Sequence, residues 1–151
     1  MFSDPNGPAL VAYSTTCLVL TANLIFLWAY SGTVRARSGV AINPEDAARF
    51  GAQHAEHDPP AVARVLRAHA NAQATIYPFL LLGLAFVLAG GPYVVAVTLF
   101  AVFCVARIVH SITYLRALQP WRTLSFVVSG LSLIALMIAL IWVLVAGAVG
   151  R

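Results

Sequence analysis

Four long apolar runs dominate the chain and predict four membrane-spanning helices. The runs cover residues 9–30, 62–89, 93–118 and 122–148, and a polar loop, residues 31–61, connects the first two. Because a helix rises 1.5 Å per residue, about 20 apolar residues cross the ~30 Å hydrocarbon core of a bilayer. We therefore predict an all-α integral membrane protein in which residues 1–151 form one domain, a four-transmembrane-helix bundle.

Short breaks rich in glycine or proline separate the predicted spans. Residues 89–92 (Ala-Gly-Gly-Pro) leave room only for a tight turn, so spans two and three form an antiparallel hairpin. Residues 119–121 (Gln-Pro-Trp) separate spans three and four. Within the long loop, residues 43–46 (Asn-Pro-Glu-Asp) predict the start of a short helix, and residues 58–60 (Asp-Pro-Pro) predict its end.

The composition excludes a water-soluble globule, because 61% of the residues are hydrophobic and only 9% are charged, against about 25% charged in soluble domains. The net charge is +4, and all nine positively charged residues are arginines. A nucleic-acid site needs a soluble basic surface, so we expect no nucleic-acid partner. Cys17 and Cys104 lie in apolar runs without CxxC spacing or clustered histidines. We interpret them as reduced packing thiols and expect no metal site.

The arginines predict the orientation of the bundle in the membrane. Seven lie on or near the connections that follow spans one and three, and only Arg151 lies at the opposite end: Arg35, Arg37, Arg49, Arg64, Arg67, Arg116 and Arg122. By the positive-inside rule these connections face the cytoplasm, and both termini face the lumen or periplasm. The first segment has no basic residue before the apolar run, unlike a signal peptide, so we expect a retained first helix.

Polar side chains inside the spans are the strongest indication of function, because a charged one costs about 2.5 to 3.5 kcal/mol at the bilayer centre. In span three, Arg107, His110 and Tyr114 have the i, i+3, i+7 spacing of one helix face. Span two has a similar polar face formed by Arg64, Arg67, Asn71 and Thr75. Arg64, Arg116 and Arg122 lie near span ends, where snorkelling to the headgroups is an equally good explanation.

Arg107 is too deep to snorkel easily, and none of the four spans contains a carboxylate to neutralise it. We predict that its partner comes from the loop, a neighbouring subunit or an anionic ligand. Guanidinium groups bind carboxylates and phosphates through paired hydrogen bonds, so this cluster favours a small-polyanion site over a purely structural network. We also expect self-association to hide the arginine faces of spans two and three from lipid, with lipid-dissolved substrates entering from the side.

Several motifs in the right order resemble those of the membrane-associated proteins in eicosanoid and glutathione metabolism (MAPEG). Residues 64–71 (RVLRAHAN) and 75–79 (TIYPF) resemble the family signature, and the chain is most similar to the microsomal prostaglandin E synthase branch. Further matching segments are residues 34–37 (VRAR), 43–47 (NPEDA), 107–110 (RIVH), 114–115 (YL) and 120–122 (PWR). The resemblance covers nearly everything from residue 30 to residue 125.

The resemblance implies a homotrimer that binds glutathione between neighbouring subunits near the cytoplasmic side. It implies two catalytic positions: Arg122, nearest the glutathione sulfur, and Asp46, which matches a loop aspartate proposed to assist proton transfer in the prostaglandin isomerase. An adjacent guanidinium favours the thiolate over a thiol whose pKa is ordinarily about 8.5. The positions implied to hold glutathione or support its site are Arg35, Arg67, His69, Asn71, Arg107, His110, Tyr114, Thr123 and Phe126.

The chain departs from the family pattern at four positions. Ala74 replaces the glutamate of the motif, and Ala70 replaces the arginine of the most similar branch. Thr123 and Phe126 replace serine and tyrosine, so they keep a hydroxyl and an aromatic ring. The loss of the glutamate removes a partner for Arg107 and an acceptor for the glutathione amino group. Either glutathione binds more weakly in a changed pose, or the pocket is adapted to another anion.

Two hypotheses about function follow. The first is a glutathione-dependent transferase, isomerase or peroxidase, embedded among membrane lipids, that acts on a lipophilic electrophile or peroxide with a thiolate stabilised by Arg122. The second, favoured by Ala70 and Ala74, is a non-catalytic trimeric membrane protein that binds lipid, another anion or a protein partner. The sequence does not select the substrate, the glutathione chemistry, or the membrane, which is either a bacterial inner membrane or the endoplasmic reticulum.

Overall fold

Five helices and two short strands form the computed structural model, which describes residues 7–149. The elements are α1 (Gly7–Ser38), β1 (Val40–Ala41), α2 (Pro44–Phe50), β2 (Gln53–His54), α3 (Pro60–Leu88), α4 (Tyr93–Leu115) and α5 (Trp121–Val149). Four of these helices, α1, α3, α4 and α5, are long and apolar enough to cross a membrane. The prediction of an all-α chain with four helices long and apolar enough to span a membrane is therefore confirmed.

Helices α3 and α4 form the centre of the bundle, and α1 and α5 pack on opposite sides of this pair. Both outer helices contact α3 and α4, whereas they do not contact each other within the described residues. Aromatic side chains fill the middle of the core: the ring of Phe79 stacks on that of Phe103 and meets Phe100 edge-on, with centroids 3.6 and 5.8 Å apart. Tyr13 joins α1 to this core through a 3.2 Å hydrogen bond from its hydroxyl to the carbonyl of Leu80.

The first helix is longer than the apolar run predicted. It continues past residue 30 to Ser38, so the loop begins at Gly39, where the positive φ of 65° ends the helix. Arg35 and Arg37 lie in its last turn, where positive charge interacts favourably with the helix dipole. The hydrophobic run thus identified the apolar part of the helix, and the helix itself continues for eight more residues.

The loop contains the predicted short helix, but the prediction of its end was wrong. α2 starts at Pro44 after Asn43 and ends at Phe50, because Gly51 adopts a left-handed conformation with φ 64°. The chain then returns alongside itself, and β1 pairs with β2 in parallel, which brings Val40 opposite Gln53. No sequence pattern predicts these strands, because two residues are too few to show a period.

The other two connections lie where glycine and proline predicted them. Gly90 has a positive φ of 76°, and any side chain on Gly91 would collide with the ring of Phe86, so this turn requires both glycines. α4 ends at Leu115, three residues earlier than predicted, and Ala117 has a positive φ of 57°. The earlier end of α4 is a small shift at a helix end, where sequence patterns are least precise.

Candidate functional site

Arg122 lies in the first turn of α5 and is held by two side chains from the end of α4 and the following turn. Its guanidinium carbon lies 5.0 Å from the centre of the Tyr114 ring, within the range of a cation–π contact. Because the facing atoms of Arg122 are both donors, the Gln119 amide is oriented with its oxygen toward them, where it accepts from Arg122 Nη2 at 2.8 Å and from Nε at 3.2 Å. The amide nitrogen of Gln119 donates to Thr123 Oγ1 at 2.9 Å. These contacts confine Arg122 to one orientation.

His110 connects α4 to the same turn of α5. Its Nδ1 lies 3.0 Å from the carbonyl oxygen of Arg122, which can only accept, so Nδ1 carries the proton. The buried hydroxyl of Ser125 lies 3.4 Å from the same nitrogen. The His110 side chain is 3% exposed, and its Nε2 has no hydrogen-bond partner among the described residues. His110 thus holds the first turn of α5 through Nδ1 and leaves Nε2 unpaired in the described part of the chain.

Aromatic rings surround this histidine. The rings of Tyr114 and Phe126 have centroids 5.6 and 5.9 Å from that of His110. Phe126 is 44% exposed and Thr123 is exposed, so both lie on the outer surface of the single chain. The structure thus brings together five predicted site residues at the junction of α4 and α5: His110, Tyr114, Arg122, Thr123 and Phe126.

Arg107 is fully buried and donates from Nη2 to the amide oxygen of Asn71 on α3, at 2.9 Å. This uncharged amide does not neutralise Arg107, so a neutralising partner from the loop, another subunit or an anionic ligand stays a prediction. The expectation that Arg107 needs other chains to hide it from lipid was wrong, because the helices of a single chain bury it completely. Its Nε and Nη1 have no partner in the part of the chain that the structure describes.

The remaining predicted residues of α3 lie on its outer side. Arg64, Arg67, Ala70 and Ala74 are exposed, and His69 is half-buried. Val62, Val65, Ala68 and Ala72 form the opposite, buried stripe that packs in the bundle. The polar face of α3 is therefore not covered by the other helices of the chain. Only Asn71, at the edge of this face, reaches the interior.

The two predicted residues of the loop region, Arg35 and Asp46, form hydrogen bonds with loop residues and not with the α4–α5 junction. Asp58 accepts from Arg35 Nη2 at 2.9 Å and from Nε at 3.3 Å. Asp46 accepts from the side-chain amide of Asn43 at 2.9 Å within α2, and α2 packs on the short strands and not on the long helices. Within one chain, the structure does not bring Asp46 to Arg122.

Two residues of this junction were missed by the sequence analysis. Gln119 lies one turn before Arg122, and Ser125 lies three residues after it. Their spacing from Arg122 is the only sequence signal, and it does not separate them from other polar residues at a helix start. An apolar groove of about 450 Å³ also runs between α4 and α5. It is lined by residues such as Val105, Trp121 and Val128 and by none of the predicted site residues.

The site has a large excess of positive charge. Among the arginines between residues 7 and 149, only Arg35 forms an ion pair, so Arg64, Arg67, Arg107 and Arg122 have no carboxylate partner there. Unpaired guanidinium groups and the free nitrogens of Arg107 suit a ligand with carboxylates. No cluster with metal-binding composition occurs over the same range. Cys17 and Cys104 are free, half-buried thiols.

The fold and this site define a four-helix integral membrane protein with an arginine and aromatic cluster between its last two spans. The chain belongs to the MAPEG family, whose sequence pattern matches residues 13–142.

Relatives with two different names match most of this chain. The chain is 37% identical to the prostaglandin E synthase of Equus caballus over 138 residues, which cover 91% of this chain and 90% of the relative. It is 35% identical to the prostaglandin E synthase of Homo sapiens over 138 residues, or 91% of either chain. It is 38% identical to the microsomal glutathione S-transferase 1 of Rattus norvegicus over 128 residues, which cover 82% of this chain and 83% of the relative.

Proposed function

We propose that this protein is a membrane enzyme that uses glutathione to transform a lipophilic electrophile or peroxide, by transfer, isomerisation or reduction. The observation that carries the proposal is the arrangement of Arg122, which Tyr114 and Gln119 hold in place without a neutralising carboxylate. Family membership and relatives named prostaglandin E synthase and glutathione S-transferase support the same class. Bound glutathione supplies the thiol that attacks the second substrate.

In this proposal, Arg122 stabilises the negative charge of the thiolate, because a cation beside sulfur favours the deprotonated form. His110 holds the first turn of α5 through its bond to the Arg122 carbonyl. Arg67 binds a carboxylate of the tripeptide, and Arg107, which is buried and held by Asn71, adds positive charge behind the site. Asp46 assists proton transfer, and Arg35, His69, Thr123 and Phe126 complete the site.

We further propose that the site is completed in a homotrimer. The polar face of α3 is exposed in the single chain, and Asp46 lies away from the α4–α5 junction. Contact between neighbouring copies gives the α3 face a partner and places loop residues of one copy near the junction of another. The charge and exposure of this face support the proposal, because exposed arginines within a span are costly against lipid.

Calorimetry with glutathione in detergent, combined with the ultraviolet absorbance of the thiolate, tests the proposal. We expect saturable binding and a thiolate signal from the bound tripeptide, in a particle with the mass of three chains. The absence of both binding and thiolate in a correctly assembled sample would favour the non-catalytic alternative.

Ala74→Glu is expected to strengthen glutathione binding. Ala74 is exposed and lies one turn after Asn71, which holds Arg107. A carboxylate there accepts from the glutathione amino group, and a charge-assisted bond in a desolvated site contributes about 1 to 3 kcal/mol. Ala61→Glu, an exposed position on the same helix, adds the same charge away from Asn71 and serves as the control. Calorimetry that finds equal affinity for Ala74→Glu and the original protein would contradict this organisation of the site.

The orientation of the bundle is also a proposal: the α4–α5 connection faces the cytoplasm. In a Cys17→Ala, Cys104→Ala background, we expect Leu118→Cys to be protected from an impermeant thiol reagent applied outside intact cells. Ala89→Cys, on the opposite turn, should react. Cysteines at Ser3 and Gly150 should also react, although these positions lie outside the described residues. The reverse labelling of Leu118→Cys and Ala89→Cys would refute the orientation.

A further inference from the structure

Gln119 is an exposed residue of the turn between α4 and α5, and it contacts both Arg122 and Thr123. The family resemblance assigned it no role. It nevertheless makes the closest polar contact of the Arg122 guanidinium in the described chain, at 2.8 Å. A side chain that accepts from both Nη2 and Nε restricts the orientation of the Arg122 guanidinium.

The chemistry of the contact fixes the orientation of the Gln119 amide. The Nε and Nη2 atoms of Arg122 carry only donors, so an amide NH₂ group at this distance would oppose them. The oxygen therefore faces Arg122, and the NH₂ group donates to Thr123 Oγ1 at 2.9 Å. Thr123 thus fixes the amide nitrogen of Gln119, while the amide oxygen of Gln119 binds the Nε–Nη2 edge of the Arg122 guanidinium.

The Tyr114 ring covers one face of the same guanidinium, at 5.0 Å from its central carbon. Gln119 thus occupies one edge of the Arg122 guanidinium and Tyr114 occupies one face. Arg122 Nη1 has no hydrogen bond to the described part of the chain. The oxygen of Gln119 is uncharged, so it fixes Arg122 without neutralising it. A carboxylate in the same place would form an ion pair and weaken the field of Arg122 at a ligand.

We propose that Gln119 is a positioning residue for Arg122: it orients the guanidinium toward the glutathione sulfur and leaves its positive charge available. The effect of Gln119 on catalysis rests on the proposed function, in which Arg122 stabilises the glutathione thiolate. The structural part of the inference, that Gln119 immobilises Arg122, does not depend on that function.

The first test compares Gln119→Glu and Gln119→Met in glutathione-dependent turnover as a function of pH. Gln119→Glu keeps the bonds accepted from Arg122 but adds a negative charge. The acid limb of the activity profile and the midpoint of the thiolate absorbance should therefore both move up by about one pH unit. Gln119→Met removes the bonds without adding charge, and we expect a several-fold lower kcat with a smaller pH shift. Leu118→Glu places the same charge on the neighbouring exposed residue and controls for general electrostatics.

The second test measures the rate at which a dicarbonyl reagent modifies Arg122 without glutathione, quantified by peptide mass spectrometry. Arg122 should react several-fold faster in Gln119→Met, while exposed Arg116 reacts at an unchanged rate. Equal rates at Arg122 in the original protein and Gln119→Met would overturn the inference, as would equal pH shifts in Gln119→Glu and Leu118→Glu. If the original protein neither binds nor uses glutathione, the proposed function fails, and the modification rates still decide whether Gln119 holds Arg122.

Discussion

Arg122→Leu is expected to reduce glutathione-dependent turnover by roughly one to three orders of magnitude, at about 1.4 kcal/mol for each factor of ten. The guanidinium is fixed by Tyr114 and Gln119 and has no carboxylate partner in the described chain, so its charge is available to a bound thiolate. Leucine keeps much of the apolar stem and removes that charge. The thiolate absorbance of bound glutathione should fall at neutral pH together with turnover.

Arg116→Leu is the matched control for this prediction. Arg116 is exposed at the end of α4, close in sequence to Arg122, and has no ion pair among the described residues. If Arg122 only snorkels to the headgroups, both substitutions should affect yield or stability in the same way. Equal activity of Arg122→Leu and Arg116→Leu per assembled particle would end the catalytic assignment.

Asn71→Leu is expected to destabilise the bundle by about 3 kcal/mol, because it removes the only hydrogen bond that the described chain makes to the buried Arg107 side chain. Removing one partner of a buried hydrogen bond to a charged group destabilises a protein more than replacing both partners with apolar residues, because the remaining charge is left without a partner. The double variant Asn71→Leu, Arg107→Leu should therefore be more stable than Asn71→Leu alone. Thermal unfolding in detergent, followed by circular dichroism, measures both.

Gln73→Leu provides the comparison for Asn71→Leu. Gln73 lies on the same helix and has an amide of similar size, but its 3.0 Å bond goes to the exposed Tyr77 hydroxyl. We expect this substitution to leave the unfolding temperature nearly unchanged, because both groups are accessible. If the two variants unfold at the same temperature, Asn71 does not stabilise the charge of Arg107.

The spacing of Arg107 and His110 placed both on one face of α4, but this face contacts a different helix at each of the two positions. Arg107 reaches Asn71 on α3, whereas His110, one turn later, reaches Arg122 on α5. A spacing of three residues gives nearly the same direction from the helix axis. Both α3 and α5 pack against this face of α4, so the spacing alone did not predict which of the two helices each side chain contacts.

The sequence by itself determined the four spanning helices, because each helix satisfies its backbone hydrogen bonds internally and its apolar side chains suit the bilayer. It also determined the tight turn at Gly90 and Gly91, which depends on local conformation. Only the tertiary structure decided that Asn71 holds Arg107 and that Gln119 holds Arg122. These pairs depend on the rotation and relative depth of neighbouring helices and on the path of a turn, which arise from the packing of the whole bundle and leave no periodic signal in the chain.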